Sequence, residues 1–119
     1  MQMALSIAAG GAIGSVLRWY AGQWTSTSVP WGTWAVNILG SLLLGFVVGA
    51  YASRTIDPAW VNGVTVGLLG GFTTFSTFAL QSVELWESGR PQWAAINIFV
   101  SVAAGLTAAV VGLAAGRAM

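Results

Sequence analysis

The sequence predicts an all-α membrane protein with four transmembrane helices per subunit, and three observations carry that reading. Apolar residues make up 56% of the 119 residues and charged residues only 6%, far fewer charges than a water-soluble surface of this size uses. The seven charges (Arg18, Arg54, Asp57, Glu84, Glu87, Arg90 and Arg117) leave uncharged runs over 1–17, 19–53, 58–83 and 91–116. Crossing the hydrocarbon core takes a helix of about 20 apolar residues. Within the runs, stretches such as Leu42-Leu43-Leu44-Gly45-Phe46-Val47-Val48 are apolar throughout, whereas a transmembrane strand alternates with a period of two.

The spans follow in order. The first, 3–22, lacks a basic n-region and is followed by further spans, so it does not read as a cleaved signal peptide. The run 19–53 contains a turn sequence, Thr25-Ser26-Thr27-Ser28-Val29-Pro30, and divides there. The second span is therefore 31–51. The third is 61–83 and the fourth 93–115. The connections 52–60 and 84–92 leave no room for an extramembrane domain, so residues 1–119 form a single four-helix transmembrane domain. With 16 glycines, the spacings Gly45-xxx-Gly49 and Gly112-xxx-Gly116 let helix backbones approach closely in lipid, either within a subunit or between subunits.

Four spans put both termini on one side. That side carries Arg54 and Arg117; the other carries Arg18 and Arg90. Orientation is normally set by excess Lys/Arg on the cytoplasmic side, and a two-against-two tie sets none, so copies are expected to insert both ways up. Trp19, Trp24, Trp31, Trp34, Trp86 and Trp93 fall toward one side, with Trp60 nearly alone on the other. An antiparallel pair would carry an interfacial tryptophan belt on each side; a one-sided protein with an accidental charge tie is the alternative.

Polar groups inside a span are costly and face protein or water. In the second span Thr33, Asn37 and Ser41 lie at i, i+4 and i+8, one helix face. Asn97, Ser101 and Gly105 repeat that spacing in the fourth, with Thr107 nearby. Neutral amides and hydroxyls placed so can replace the water around an anion in steps, or can simply join helices. The third span reads Gly70-Gly71-Phe72-Thr73-Thr74-Phe75-Ser76-Thr77-Phe78, and a Gly-Gly pair followed by β-branched threonines makes a poor helix interior. A break mid-membrane there would expose backbone carbonyls, which are cation ligands. It would also bring forward Phe75 and Phe78, whose ring edges are electropositive. A glycine-kinked packing helix with core phenylalanines fits the same residues.

The chain has no cysteine, histidine or lysine, which removes disulfides, thiolate chemistry, an imidazole base and the usual transition-metal ligands. An enzyme is hard to build from the remainder. A net charge of +1 gives no reason to invoke nucleic acid. No Asp or Glu lies inside a span, and proton-coupled pumps need a titratable group there.

Three motifs, Gly14-Ser15-Val16-Leu17-Arg18-Trp19, Pro30-Trp31-Gly32-Thr33 leading to Val36-Asn37-Ile38-Leu39-Gly40, and the Gly70–Phe78 string, resemble the Fluc (CrcB) family of fluoride-specific ion channels. The likeness covers essentially the whole chain in length, span count and motif order. It implies an antiparallel, dual-topology homodimer in the lipid of the bacterial inner membrane, with two pathways through which toxic fluoride leaves the cell passively. It further implies that Phe75 and Phe78 contact fluoride with their ring edges and that Asn37 donates to the ion. Ser101 would fall on the polar track of the fourth span, with Ser76 and Thr77 supplying hydroxyls beside the Phe pair. The carbonyls of Gly70 and Thr73, with their symmetry mates, would hold one central Na⁺ that is structural and not transported. Two positions depart from the family pattern: Gln81 stands where many relatives carry a carboxylate, and Asn97 where some carry tyrosine. A small drug-exporting antiporter has a similar size, but depends on a buried glutamate in its first span, where this chain offers Ser6, Ser15 and Arg18. A structural membrane subunit without transport of its own is the remaining class.

Overall fold

The computed structural model describes residues 1–26 and 28–119; Thr27, in the turn expected between the first two spans, lies outside them. The described residues are helical or looped, with no strand. Helix α1 runs Gln2–Gly22 and α2 Trp31–Tyr51. Pro30 precedes α2 and cannot extend a helix backwards. The third long segment is composite. It opens with α3, Pro58–Asn62, where Asp57 accepts the Ala59 N–H at 2.8 Å and Pro58 sits at the first helical position. A π-helical stretch, Gly63–Leu69, and a single turn, α4, Gly70–Phe72, continue it. After a break comes α5, Phe75–Glu87. Gly89, at φ 77°, turns the chain into α6, Pro91–Arg117, and the left-handed conformation is one that glycine adopts without steric cost.

Three segments are long and apolar enough to cross a membrane among the described residues: Trp31–Tyr51, Pro58–Glu87 and Pro91–Arg117, with mean hydropathies of 1.8, 1.4 and 2.2. Helix α1 matches α2 in length, but Gln2 and Arg18 dilute its apolar character.

Glycine contacts fix how the helices run. A Cβ on Gly112 would strike the Leu42 carbonyl, one on Gly116 the Phe46 carbonyl, and one on Gly45 the Ala109 carbonyl. The two small-residue motifs therefore pack against each other within one subunit, and α2 and α6 run parallel. Contacts of Gly10 with Gly63, Gly14 with Leu68 and Gly71 with Gly11 lay α1 parallel to the third segment in the same way. Trp31, Trp34, Trp86 and Trp93 thus gather at one end of the subunit, together with the end of α1. The Cα trace is a slab of 51 × 30 × 17 Å. Its length suits a bilayer of ~40–45 Å including headgroups, while its thickness is that of few helix layers. Only 6% of the most apolar window of α6 is buried inside the subunit. This apolar exposure is the reverse of a water-soluble fold.

Candidate ion-pathway site

The helix breaks at Thr73–Thr74, not at the Gly70-Gly71 pair. Both glycines remain helical, and Thr73 (φ −83°, ψ 160°) and Thr74 (φ −152°, ψ 120°) are extended. Gly71 is spent on the close approach to α1, whereas Thr74 has the side chain to start a new helix. Its Oγ1 accepts the Thr77 N–H at 3.2 Å as the N-cap of α5, and its own hydroxyl reaches Thr77 Oγ1 at 3.1 Å.

Asn37 holds the break open. Its Nδ2 donates to the Thr74 carbonyl at 2.9 Å, and its Oδ1 accepts the Thr74 N–H at 2.7 Å. This pairing has a consequence for the upstream carbonyls. The Thr74 N–H would serve the Gly70 carbonyl in an unbroken helix, and the Thr77 N–H would serve that of Thr73. Both donors are diverted, to Asn37 Oδ1 and Thr74 Oγ1 respectively. Carbonyl oxygens thus face outward from the end of the upstream half, where a helix dipole is negative, beside the positive N-terminal end of α5.

Around the break lie two hollows. The smaller, about 280 Å³, is lined by Asn37, Ser41, Thr73, Phe75, Phe78 and Ser101 among others. The structure therefore brings five of the eight sequence-predicted positions to one place, from α2, the break, α5 and α6. The Phe75 and Phe78 rings lie 5.5 Å apart, tilted by 59°; Phe75 is 78% exposed. Only one hydrogen of the Asn37 amide is used within the subunit among the described residues. Ser41 has no hydrogen-bond partner among them either.

Thr77 lies in the larger hollow instead, about 570 Å³, with Ser15, Arg18, Thr33, Thr74 and Gln81 on its wall. Ser76 and Gly70 are exposed and line neither. No carboxylate borders these two hollows among the described residues. The buried Gln81 Oε1 has no hydrogen-bond partner among the described residues. Arg18 and Thr74 are functional candidates that sequence reasoning passed over. In the sequence Arg18 reads as a topology signal, yet an ionisable group within an apolar span is a functional candidate by default.

Asn97, on a stripe that could either line an anion path or join helices, does the second: it is fully buried and fully bonded. Its Oδ1 accepts the Trp34 indole N–H at 2.7 Å and the Ser101 hydroxyl at 3.4 Å. Its Nδ2 donates to Ser82 Oγ at 2.9 Å and to the Phe78 carbonyl at 3.5 Å. It ties α2, α5 and α6 together beside the Phe pair.

Residues 5–113 match the family model described as CrcB-like protein, Camphor Resistance (CrcB). The chain is 41% identical to the fluoride-specific ion channel FluC of Rhizobium leguminosarum bv. trifolii, over all of this chain and 99% of that protein. It is 42% identical to the fluoride-specific ion channel FluC of Rhizobium johnstonii, with the same coverage. To the protein of that name from Agrobacterium fabrum it is 44% identical, over 93% of each.

Proposed function

The chain belongs to the CrcB family and is a fluoride-specific ion channel, a multi-pass protein of the bacterial cell membrane; from that premise we propose that fluoride crosses by way of the small hollow beside the helix break. The observation that carries this reading is the Asn37–Thr74 pairing. It gathers the free Asn37 N–H, the Phe75 and Phe78 rings and Ser101 around one cavity. A dehydrating fluoride meets neutral donors there: an amide, a hydroxyl and aromatic ring edges. The Arg18-lined hollow on the other side of Thr74 attracts the anion from solvent, and Thr77 offers a hydroxyl on that approach. Ser76 stands at the exposed start of α5, where the helix dipole favours negative charge.

The subunit works as half of an antiparallel homodimer. A slab 17 Å thick leaves Phe75 and the Gly70 carbonyl on its surface, and a second copy would cover both. Dual insertion follows from the charge tie between the two ends, and the break then sits at mid-membrane depth, with one pathway per subunit surface. The Gly70 and Thr73 carbonyls, both deprived of their helical donors, suit a hard cation that takes oxygen ligands. Two carbonyls are too few for one ion, and two copies double the number, which supports a structural Na⁺ on the dimer axis. When bound, that ion would supply positive charge beside the anion path without being transported.

The test is fluoride-electrode efflux from liposomes holding the purified dimer. Phe75→Ile and Phe78→Ile are expected to abolish efflux while the protein still assembles. Wild-type flux through either assembled variant would remove the hollow from the pathway.

A further inference from the structure

Several hydroxyls of the spans are out of service as donors to an ion. Thr65, Thr73, Ser82 and Thr107 each donate to the backbone carbonyl four residues earlier, at 2.8, 3.0, 2.8 and 2.7 Å. Such bonds satisfy a hydroxyl within its own helix. Ser101 is different. Its hydrogen goes to a side chain, Asn97 Oδ1, at 3.4 Å, beyond the usual 2.5–3.0 Å range for O–H···O and therefore weak. The same Oδ1 already holds a short bond from Trp34 Nε1 at 2.7 Å. Asn97 cannot be reversed to exchange its oxygen and nitrogen, because the indole N–H only donates and its partner must accept.

We propose that Asn97 and Trp34 act as positioning residues that make Ser101 a transferable donor: the Ser101 hydroxyl parks on Asn97 Oδ1 and swings to fluoride when the ion enters the Phe75–Phe78 hollow. The proposal rests on the pathway reading above. The physical point is the second bond on the amide oxygen. A buried acceptor left with no donor costs more than a single bond is worth. If Ser101 were the sole donor to Oδ1, surrendering its hydrogen to fluoride would strand a fully buried oxygen. With Trp34 in place Oδ1 stays satisfied, and the transfer costs one weak bond. Trp34 thus acts on the ion through two intervening side chains, without lining the small hollow itself.

A coupling experiment separates this role from plain packing. Fluoride efflux is measured for reconstituted wild type, Trp34→Phe, Ser101→Ala and the double variant. Trp34→Phe keeps a ring in place and removes the N–H. It is expected to slow efflux by roughly fivefold in the wild-type background, the worth of one ordinary hydrogen bond. In the Ser101→Ala background it is expected to change the rate less than twofold, since there is no hydroxyl left to hold back. An equal slowing in both backgrounds, or none in the wild type, overturns the coupling while leaving the pathway standing. Wild-type efflux in Ser101→Ala overturns the pathway reading at Ser101, and the proposal with it. Should Trp34→Phe fail to assemble, dimer labelled with ¹⁵N-tryptophan decides. The Trp34 indole N–H resonance should move downfield when fluoride replaces chloride, because Oδ1 then serves one donor only, and should stay put in Ser101→Ala. A resonance indifferent to fluoride, or shifting equally without the hydroxyl, refutes the transfer.

Discussion

Asn37 and Thr74 exchange two hydrogen bonds, side-chain amide to backbone amide, at 2.9 and 2.7 Å. The side chain mimics the strand partner that an extended peptide lacks inside a helical bundle. Non-helical backbone among packed helices needs partners for its polar groups, and here one residue supplies them. The pairing also strips the Gly70 carbonyl of its helical donor, so one contact shapes both sides of the break.

Removing the Asn37 amide should therefore hurt folding as well as conduction. In Asn37→Ala the buried Thr74 N–H loses its partner, a cost of about 1–3 kcal/mol. The expected result is a thermal midpoint several degrees lower for the detergent-solubilised protein, with fluoride efflux reduced at least tenfold. An unchanged midpoint would mean that the break is held by something other than this pair.

Packing between α2 and α6 makes a separate prediction. A side chain at Gly112 runs into the Leu42 carbonyl, which is backbone and cannot swing away. Gly112→Ile should cost about 1–3 kcal/mol through overpacking and pull Trp34 away from Asn97. Gly105→Ala, on the same helix, meets only Ser41 Oγ at 3.9 Å, ordinary contact, and should be neutral in a thermal-shift measurement. Equal destabilisation of the two would refute the glycine seam.

The all-helical architecture was legible because apolar runs between sparse charges leave few other options. The position of the break was less so. Propensity marks the whole run from Gly70 to Thr74 as a poor helix interior without choosing a residue; tertiary packing uses Gly71 against Gly11, and Thr74 wins because it can cap a helix that Asn37 then secures. Asn37, Phe75, Phe78 and Ser101 were legible as a polar and aromatic set, from spacing and from resemblance. The burial of Asn97 was not. Periodicity shows which face a residue shares but not what stands opposite, and no local signal in the sequence pairs Trp34 with a residue 63 positions away.

The cation reading predicts a sodium-dependent stability. A ligand that binds only the folded dimer stabilises it by mass action. Replacing Na⁺ with N-methylglucamine at constant ionic strength should lower the thermal midpoint by roughly 2–8 °C, with the original value recovered on adding Na⁺ back. Identical midpoints in the two salts would count against a site at the Gly70 and Thr73 carbonyls.

Dual insertion, proposed from the charge tie, can be tested directly. Arg54 and Arg117 lie at one end of the subunit and Arg18 and Arg90 at the other, so two or three added lysines should decide the orientation. Lysines appended after Met119 should fix the termini in the cytoplasm; lysines inserted near Gly89 should fix the opposite orientation. Under antiparallel assembly neither biased chain alone forms a conducting pair, and co-expression of the two restores fluoride efflux. Single-cysteine labelling from either side of the membrane verifies the orientation of each chain. Full efflux from one biased chain, labelled from one side only, would show that subunits conduct in parallel, and the shared cation site would then lose its geometric basis.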